Sequence, residues 1–278
     1  MLQLFYNVSE DCSRLVAQKY STSFYSAIRL LHKDFRAPIC NIYGFVRFAD
    51  EIVDTFHKYD KPLLLQQFKK DTFEAIQRKI SLNPILNSFQ ITVNEYSIDH
   101  ELIESFFRSM EFDLSKRTYN REEYGEYIYG SAEVVGLMCL QVFSKKDKKL
   151  YQQLQVYARA LGAAFQKVNF LRDMKADNDE LFRMYFPGCD VNNFLEKDKK
   201  EIENDIQNDF RKAYEGIVKL PVQARFGVYV AYKYYLSLFK KIKRTHPCHI
   251  LQKRIRIPDY HKLMIVAKAG LKHQLKLL

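Results

Sequence analysis

The chain has 278 residues and a formal net charge of +11, with 47% hydrophobic and 28% charged residues. That balance supports a sizeable core and excludes a wholly disordered chain, and only 9 Gly and 7 Pro exclude a sandwich or barrel of many short strands. The longest unbroken apolar stretches, such as 134–140, fall far short of the ~20 residues of a spanning helix.

Helical periodicity dominates the chain from the start. Residues 9–33 read as one helix, with Ser9 as N-cap and Glu10 and Asp11 in its first turn. A second helix is predicted over 38–57, opened by Pro38 at a favourable early position. HKYDKP (57–62) is a loop, 62–80 is amphipathic, and SLNP (81–84) breaks the chain. Further helices are predicted at 85–96, 99–115, 121–143, 147–181, 196–217, 221–244 and 258–277. FPGCDVNN (186–193) and RTHPC (244–248) separate the later ones. No alternating strand pattern or internal repeat appears, so the expectation is all-α, one domain over 1–278.

The beginning MLQLFYNVSEDC shows neither a basic leader with an apolar run nor a small-residue cleavage site. Cys12, Cys40, Cys139, Cys189 and Cys248 lack metal-ligand spacing and read as reduced thiols. A cytoplasmic protein is the expectation. The charge is uneven: residues 233–278 hold 12 Lys or Arg and the single acid Asp259, so the rest of the chain is neutral overall. Such a tail suits nucleic acid, anionic lipid or a phosphorylated substrate.

Chemistry concentrates in two segments. In NIYGFVRFADEIVDT (41–55), Tyr43, Arg47, Asp50 and Asp54 are spaced four, three and four apart, which gathers them into one helical stripe. In LGAAFQKVNFLRDMKAD (161–177), Gly162, Gln166, Asn169, Asp173 and Asp177 share another stripe, with Arg172 beside it. Their neighbours are apolar, and burying such groups is costly unless each finds a partner. Carboxylates with an amide, and no His or Cys nearby, select hard cations, hence Mg²⁺ rather than zinc. Two facing Asp-x-x-x-Asp helices would hold Mg²⁺ ions around a diphosphate. A third pair, Asp205 and Asp209, lies on a charge-rich face and reads as structural.

Other segments are less specific. Ser21 and Ser23 could donate to phosphate, or serve as local caps. Gly130, Ser131, Ala132 and Gly136 leave room for close packing or for a long substrate, and packing is the simpler reading. Arg183 and Tyr185 in RMYFP (183–187) stand where they could close over a diphosphate.

Together STSF (21–24), YGFVRFADEIVD (43–54), YIYGSAEVVG (127–136), QKVNFLRDMKAD (166–177), RMYFP (183–187) and RIRIP (254–258) resemble the squalene/phytoene synthase family. Within it the text looks most like bacterial phytoene synthases. The resemblance implies an all-α isoprenoid-synthase fold with a central cavity between the aspartate motifs. It implies Mg²⁺ (or Mn²⁺) at Asp50, Asp54, Asn169, Asp173 and Asp177, and no NADPH. Ser21, Ser23, Arg47, Arg172 and Arg254 match diphosphate-contacting positions. Tyr43, Tyr127, Gln166, Asn169 and Tyr185 match cavity or active-site positions, with Tyr127 among the catalytic residues and Arg183 among those binding substrate. NDELF separates the second motif from RMYFP and is slightly longer than in some relatives.

The implied reaction joins two geranylgeranyl diphosphates head to head. Farnesyl diphosphate, as in squalene or dehydrosqualene synthases, is the nearest alternative. A non-catalytic basic helical module binding lipid or nucleic acid is the alternative of another class, although no nucleic-acid motif is present. Lys268, Lys272 and Lys276 recur every four residues, so 258–278 could rest on anionic lipid or simply pack as a solvated last helix.

Overall fold

The computed structural model of the chain describes residues 1–181, 183–190, 194–252 and 254–274, apart from the side chains of 180, 273 and 274. Lys276 and Leu277 of the basic tail lie outside the described residues. The described chain is helical, with one isolated bridge between Thr118 and Met184.

The first predicted helix is two. Helix α1 runs Leu2–Tyr20 and α2 runs Thr22–Ile28, broken at Ser21, which is extended (φ −145°) and accepts the Phe24 amide. Ser9 is no cap: it lies buried mid-helix, bonded to the Phe5 carbonyl at 2.9 Å and to Asn87 Nδ2 at 3.0 Å. A serine that finds its partner across a helix interface need not break the helix it sits in. Helix α3 (Lys33–Asp54) begins before Pro38, which is carried inside it.

The next elements follow their caps. Asp60 caps α4 (Lys61–Arg78), Asn83 caps α5 (Pro84–Tyr96) and Asp99 caps α6 (His100–Ser115), and Pro62 and Pro84 open the first turns of α4 and α5. Asn120 and Glu123 form a reciprocal capping box on α7 (Arg121–Ile128). The helix predicted over 121–143 is interrupted by a π-helical turn, Tyr129–Glu133, before α8 (Val134–Ser144). Helices α9 (Lys148–Leu181), α10 (Glu196–Ile217), α11 (Val222–Lys243), α12 (Pro247–Ile250) and α13 (Asp259–Gln274) complete the chain.

The stretch Arg121–Ser144 is long and apolar enough to cross a membrane, but 61% of its most apolar part is buried. It behaves as a core element. Its small residues explain why. A Cβ on Gly130 would lie 2.5 Å from the Ser105 carbonyl oxygen, and one on Gly136 2.7 Å from that of Ala158. On α9, a Cβ on Gly162 would meet the Ala132 carbonyl oxygen at 2.4 Å. Backbone therefore packs on backbone, so Gly162→Ala should destabilise the protein by about 1–3 kcal/mol, read as a lowered denaturation midpoint with unchanged slope. An unchanged midpoint would rule out the close approach.

The core has two parts. Phe45 stacks on Phe89 at 3.9 Å and touches Phe106 and Phe107, joining α3, α5 and α6. Across the bundle Phe170, Phe210 and Phe239 gather α9, α10 and α11. Helices α3 and α9 border the space left between.

Candidate active site

The two aspartate stripes meet at that space. Tyr43, Arg47, Asp50 and Asp54 of α3 and Gly162, Gln166, Asn169, Asp173 and Asp177 of α9 all line one cavity of about 510 Å³. Ile39, fifteen residues before Asp54 on α3, lines it too. At 1.5 Å per residue the cavity follows that helix for about 22 Å. Away from the aspartates its walls are apolar, with Leu31, Leu140, Phe143, Leu154 and Leu220. Carboxylates gather at one end of a long greasy channel.

Burial and mutual repulsion mark the carboxylates. Asp50 is pushed up to about 8 by burial and by Asp54, against the pull of Arg47. Asp177 is likewise pushed up to about 8 by burial, then by Asp173 and by Asp54 across the cavity. Neither carboxylate is hydrogen-bonded or in a contact ion pair among the described residues. The other two are paired. Asp173 accepts from Arg172 Nε at 3.0 Å and from Arg254 Nε at 2.7 Å, and Asp54 Oδ1 accepts from Arg183 Nη1 at 2.8 Å.

Arg183 ties the motifs together. Its amide donates to the Asp177 carbonyl at 2.9 Å while its guanidinium reaches Asp54. The Thr118–Met184 bridge, with Met184 N donating to the Arg117 carbonyl at 2.8 Å, holds this segment against the end of α6. The guanidinium also donates to the Asp113 carbonyl at 2.7 Å and stands 3.3 Å from Asp113 Oδ1. Tyr127 and Tyr185 donate to the Asp113 carboxylate at 2.7 and 3.2 Å. Asp113, pushed up to about 7 chiefly by burial with Arg183 opposing, is the hub of this cluster.

The sequence reading missed Asp113. Its signal is positional: Phe106, Met110 and Asp113 are spaced four and three apart, which places an acid on an otherwise apolar helical stripe. The 40 Tyr and Phe residues predict an aromatic wall but not its members: Phe165 stacks on Tyr235 at 3.9 Å and meets Phe24 edge-on at 5.9 Å, and all three line the cavity. Tyr43 joins that wall, its hydroxyl pushed up to about 12 by burial.

The remaining expectations divide. Ser21 lines the cavity while capping α2, but Ser23 is not on the wall; its carbonyl accepts from Ser26 Oγ. The break at Ser21 turns the two serines to different sides. Arg47 pairs with Glu51 and lies over the Tyr20 ring at 4.5 Å, leaving its buried Nε without a partner. Tyr127, Tyr185 and Arg254 line the cavity. Asp205 and Asp209 hold the buried Lys167 ammonium at 2.5 and 2.7 Å. Asp205→Asn with Asp209→Asn should therefore leave turnover within about twofold and lower stability by about 1–3 kcal/mol, the penalty of an unsatisfied buried cation. A large loss of turnover at unchanged stability would overturn the structural assignment.

The donor set suits a hard divalent cation. Four carboxylates and the buried, unpartnered Asn169 Oδ1 offer oxygen alone. Among the described residues no three His, Cys, Asp or Glu side chains come close enough to hold one ion unaided. An ion there would complete its shell with other oxygens, as Mg²⁺ does with water and phosphate.

Residues 17–261 match the family described as squalene/phytoene synthase. The chain is 26% identical to the phytoene synthase of Arthrospira platensis over 289 residues, covering 95% of this chain and 92% of that one. It is 26% identical over 275 residues to the chloroplastic phytoene synthase 3 of Zea mays, 92% of this chain but only 64% of the maize protein. Its fold is similar to the crystal structure of a dehydrosqualene synthase in complex with ligand, with a TM-score of 0.81, 19% identity and 98% of both chains covered. With the family's match spanning both aspartate helices, the chain belongs to the squalene/phytoene synthase family.

Proposed function

We propose that this chain, as one catalytic domain, is a phytoene synthase that condenses two geranylgeranyl diphosphates head to head in carotenoid biosynthesis. The observation that carries the reading is the pair of aspartate helices at one end of a long apolar cavity. The family is one of prenyltransferase-type enzymes using prenyl diphosphates. The C20 substrate is favoured by the phytoene synthases that match most of the chain.

Asp50 and Asp54 on one side, with Asn169, Asp173 and Asp177 on the other, would hold Mg²⁺ or Mn²⁺. Bound there, the metal would neutralise diphosphate charge and favour departure of the leaving group. Arg172 and Arg254, already at the mouth on Asp173, are placed to share that charge, and Arg47 and Ser21 stand on the same wall.

In the first step the C–O bond of one allylic diphosphate breaks. The cation is captured by the double bond of the second molecule, which loses a proton to give a cyclopropyl diphosphate. In the second step that C–O bond breaks, the skeleton rearranges and a proton leaves to give phytoene. Phe24, Tyr43, Phe165 and Tyr235 keep water from the cations and turn ring faces toward positive charge. The Asp113 cluster orients Tyr127 and Tyr185 on the wall. No net reduction occurs, so no NADPH is consumed.

Product analysis with Mg²⁺ and either geranylgeranyl or farnesyl diphosphate, with and without NADPH, tests the reading. Phytoene from the C20 substrate without reductant is expected. A C30 hydrocarbon from farnesyl diphosphate alone would keep the chemistry and overturn the substrate. No turnover of either by folded protein would overturn the enzyme assignment.

A further inference from the structure

A second cavity, of about 590 Å³, lies between α11 and α13, apart from the aspartate helices. Lys233, Lys240 and Lys241 line it from α11, Arg244 from the C-cap of α11 and Lys268 from α13, while no Asp or Glu does. None of these five cations is in an ion pair among the described residues. Asp259, at the start of α13, is taken by Lys262 at 3.0 Å. Crowding is felt at Lys233, held below its usual value by burial, then by Lys240 and Lys272. The cleft is also shaped: His261 Nε2 bonds Ser237 Oγ at 3.1 Å, and Lys241 donates to the Arg256 carbonyl at 2.7 Å. Lys233 lies over the Tyr229 ring at 5.6 Å, but with no carboxylate partner among the described residues the five cations leave an electrostatic deficit that an anion would relieve.

The rim says which kind of anion. Tyr260, Met264 and Leu271 are 68%, 46% and 59% exposed, and spacings of four and seven put them on one stripe of α13 beside Lys268. Leu263, 72% exposed, lies at its edge. A free phosphate has no use for such a stripe, whereas a bilayer covers it. The surface also neighbours the substrate cavity. Arg254 lines that cavity just before α13, and Lys262 donates to Thr22 Oγ1 at 3.3 Å beside Ser21.

We propose that the cleft between α11 and α13 binds the phosphate headgroup of an anionic membrane lipid, with Tyr260, Met264 and Leu271 entering the bilayer interface beside it. This places the mouth of the substrate cavity near the lipid surface. It holds whichever diphosphate the enzyme uses.

Flotation of the full chain with vesicles of phosphatidylcholine, and of phosphatidylcholine mixed equally with phosphatidylglycerol, tests the assignment. Binding to the mixed vesicles alone is expected. Lys240→Ala with Lys268→Ala should lower the partition coefficient about 25-fold, at about fivefold per lysine near an anionic surface. Met264→Ser with Leu271→Ser should lower it several-fold without any change of charge. Lys200→Ala with Lys212→Ala, exposed on α10, should leave it unchanged, and turnover of dispersed substrate should be unaltered in all three. Equal losses in the α10 control, or no vesicle binding by the wild type, would overturn the site. So would calorimetric binding of inorganic phosphate or diphosphate that needs Lys240 and Lys268 while vesicles are ignored.

Discussion

Asp50→Asn is expected to cut product formation by at least about a thousandfold while making the substrate-free protein more stable at pH 8. The first effect follows from the proposed role. Losing one group that holds charge-stabilising machinery against a departing diphosphate removes about 4 kcal/mol of transition-state stabilisation, a factor of about a thousand. The second follows from the apo geometry. Asp50 is raised to about 8 by burial and by Asp54, so in its ionised form it works against the fold. Its unfolded value is near 3.8.

The folded state therefore binds a proton that the unfolded state releases. This contribution to stability is intact below about pH 4, is lost as pH rises to about 8, and changes no further above that. Asp177 adds the same slope. Asn at position 50 removes its share, so the melting temperature at pH 8 should rise by about 2–5 °C, roughly 1–2 kcal/mol in a chain of this size. Mg²⁺ with inorganic diphosphate should raise the wild-type midpoint at pH 8 more than at pH 5. A variant that is inactive yet less stable than wild type at pH 8, with an unaltered pH slope, would show that Asp50 serves the fold instead.

Arg183→Met should destabilise the protein by about 3–5 kcal/mol as well as inactivate it, because it strands the Asp113 carboxylate in the interior. Arg183 is 6% exposed and Asp113 8%, so solvent cannot replace the missing partner. The guanidinium also ties the backbone at Val53 and Asp113 to the Asp54 carboxylate, and Met supplies none of those donors. The double variant Arg183→Met with Asp113→Leu separates the two roles. Removing both charges should restore most of the lost stability, since a buried pair can be exchanged for apolar side chains at little net expense. Activity should not return, because Tyr127 and Tyr185 lose the acceptor that orients them. Denaturant titration and turnover of the four-member cycle supply the readout. Recovery of both quantities together would make the cluster a matter of packing alone.

The aspartate motifs were legible because a helix converts a spacing of four into a shared face, whatever surrounds it. Tyr43, Arg47, Asp50 and Asp54 need only α3 to be helical, and the same holds for the stripe on α9. Asp113 was not singled out because an isolated acid on a helix usually faces water. Tertiary packing makes it an acceptor: α7 brings Tyr127, and the RMYFP segment, held by the Thr118–Met184 bridge, brings Tyr185 and Arg183. Boundaries failed for similar reasons. Ser9 has the chemistry of a cap, but Asn87 from α5 supplies its partner, so α1 runs through it. Ser21 breaks the predicted 9–33 helix where the chain turns from α1 into α2 against α11.

By itself, then, the sequence determined the helical class, the two carboxylate faces, a donor set made of oxygen atoms and the concentration of positive charge from residue 233 onward. All of these depend on residue type and on spacings within a single helix. Tertiary structure decided which carboxylates stay unpaired and which arginines answer them. It also decided that Ser23 leaves the cavity, that Gly130 and Gly136 meet neighbouring backbone while Ser131, Ala132 and Gly136 line the cavity, and that five basic residues converge on one cleft. Those outcomes depend on Coulomb and contact forces between groups far apart in the chain, which act over a few ångströms and exist only once the helices have packed.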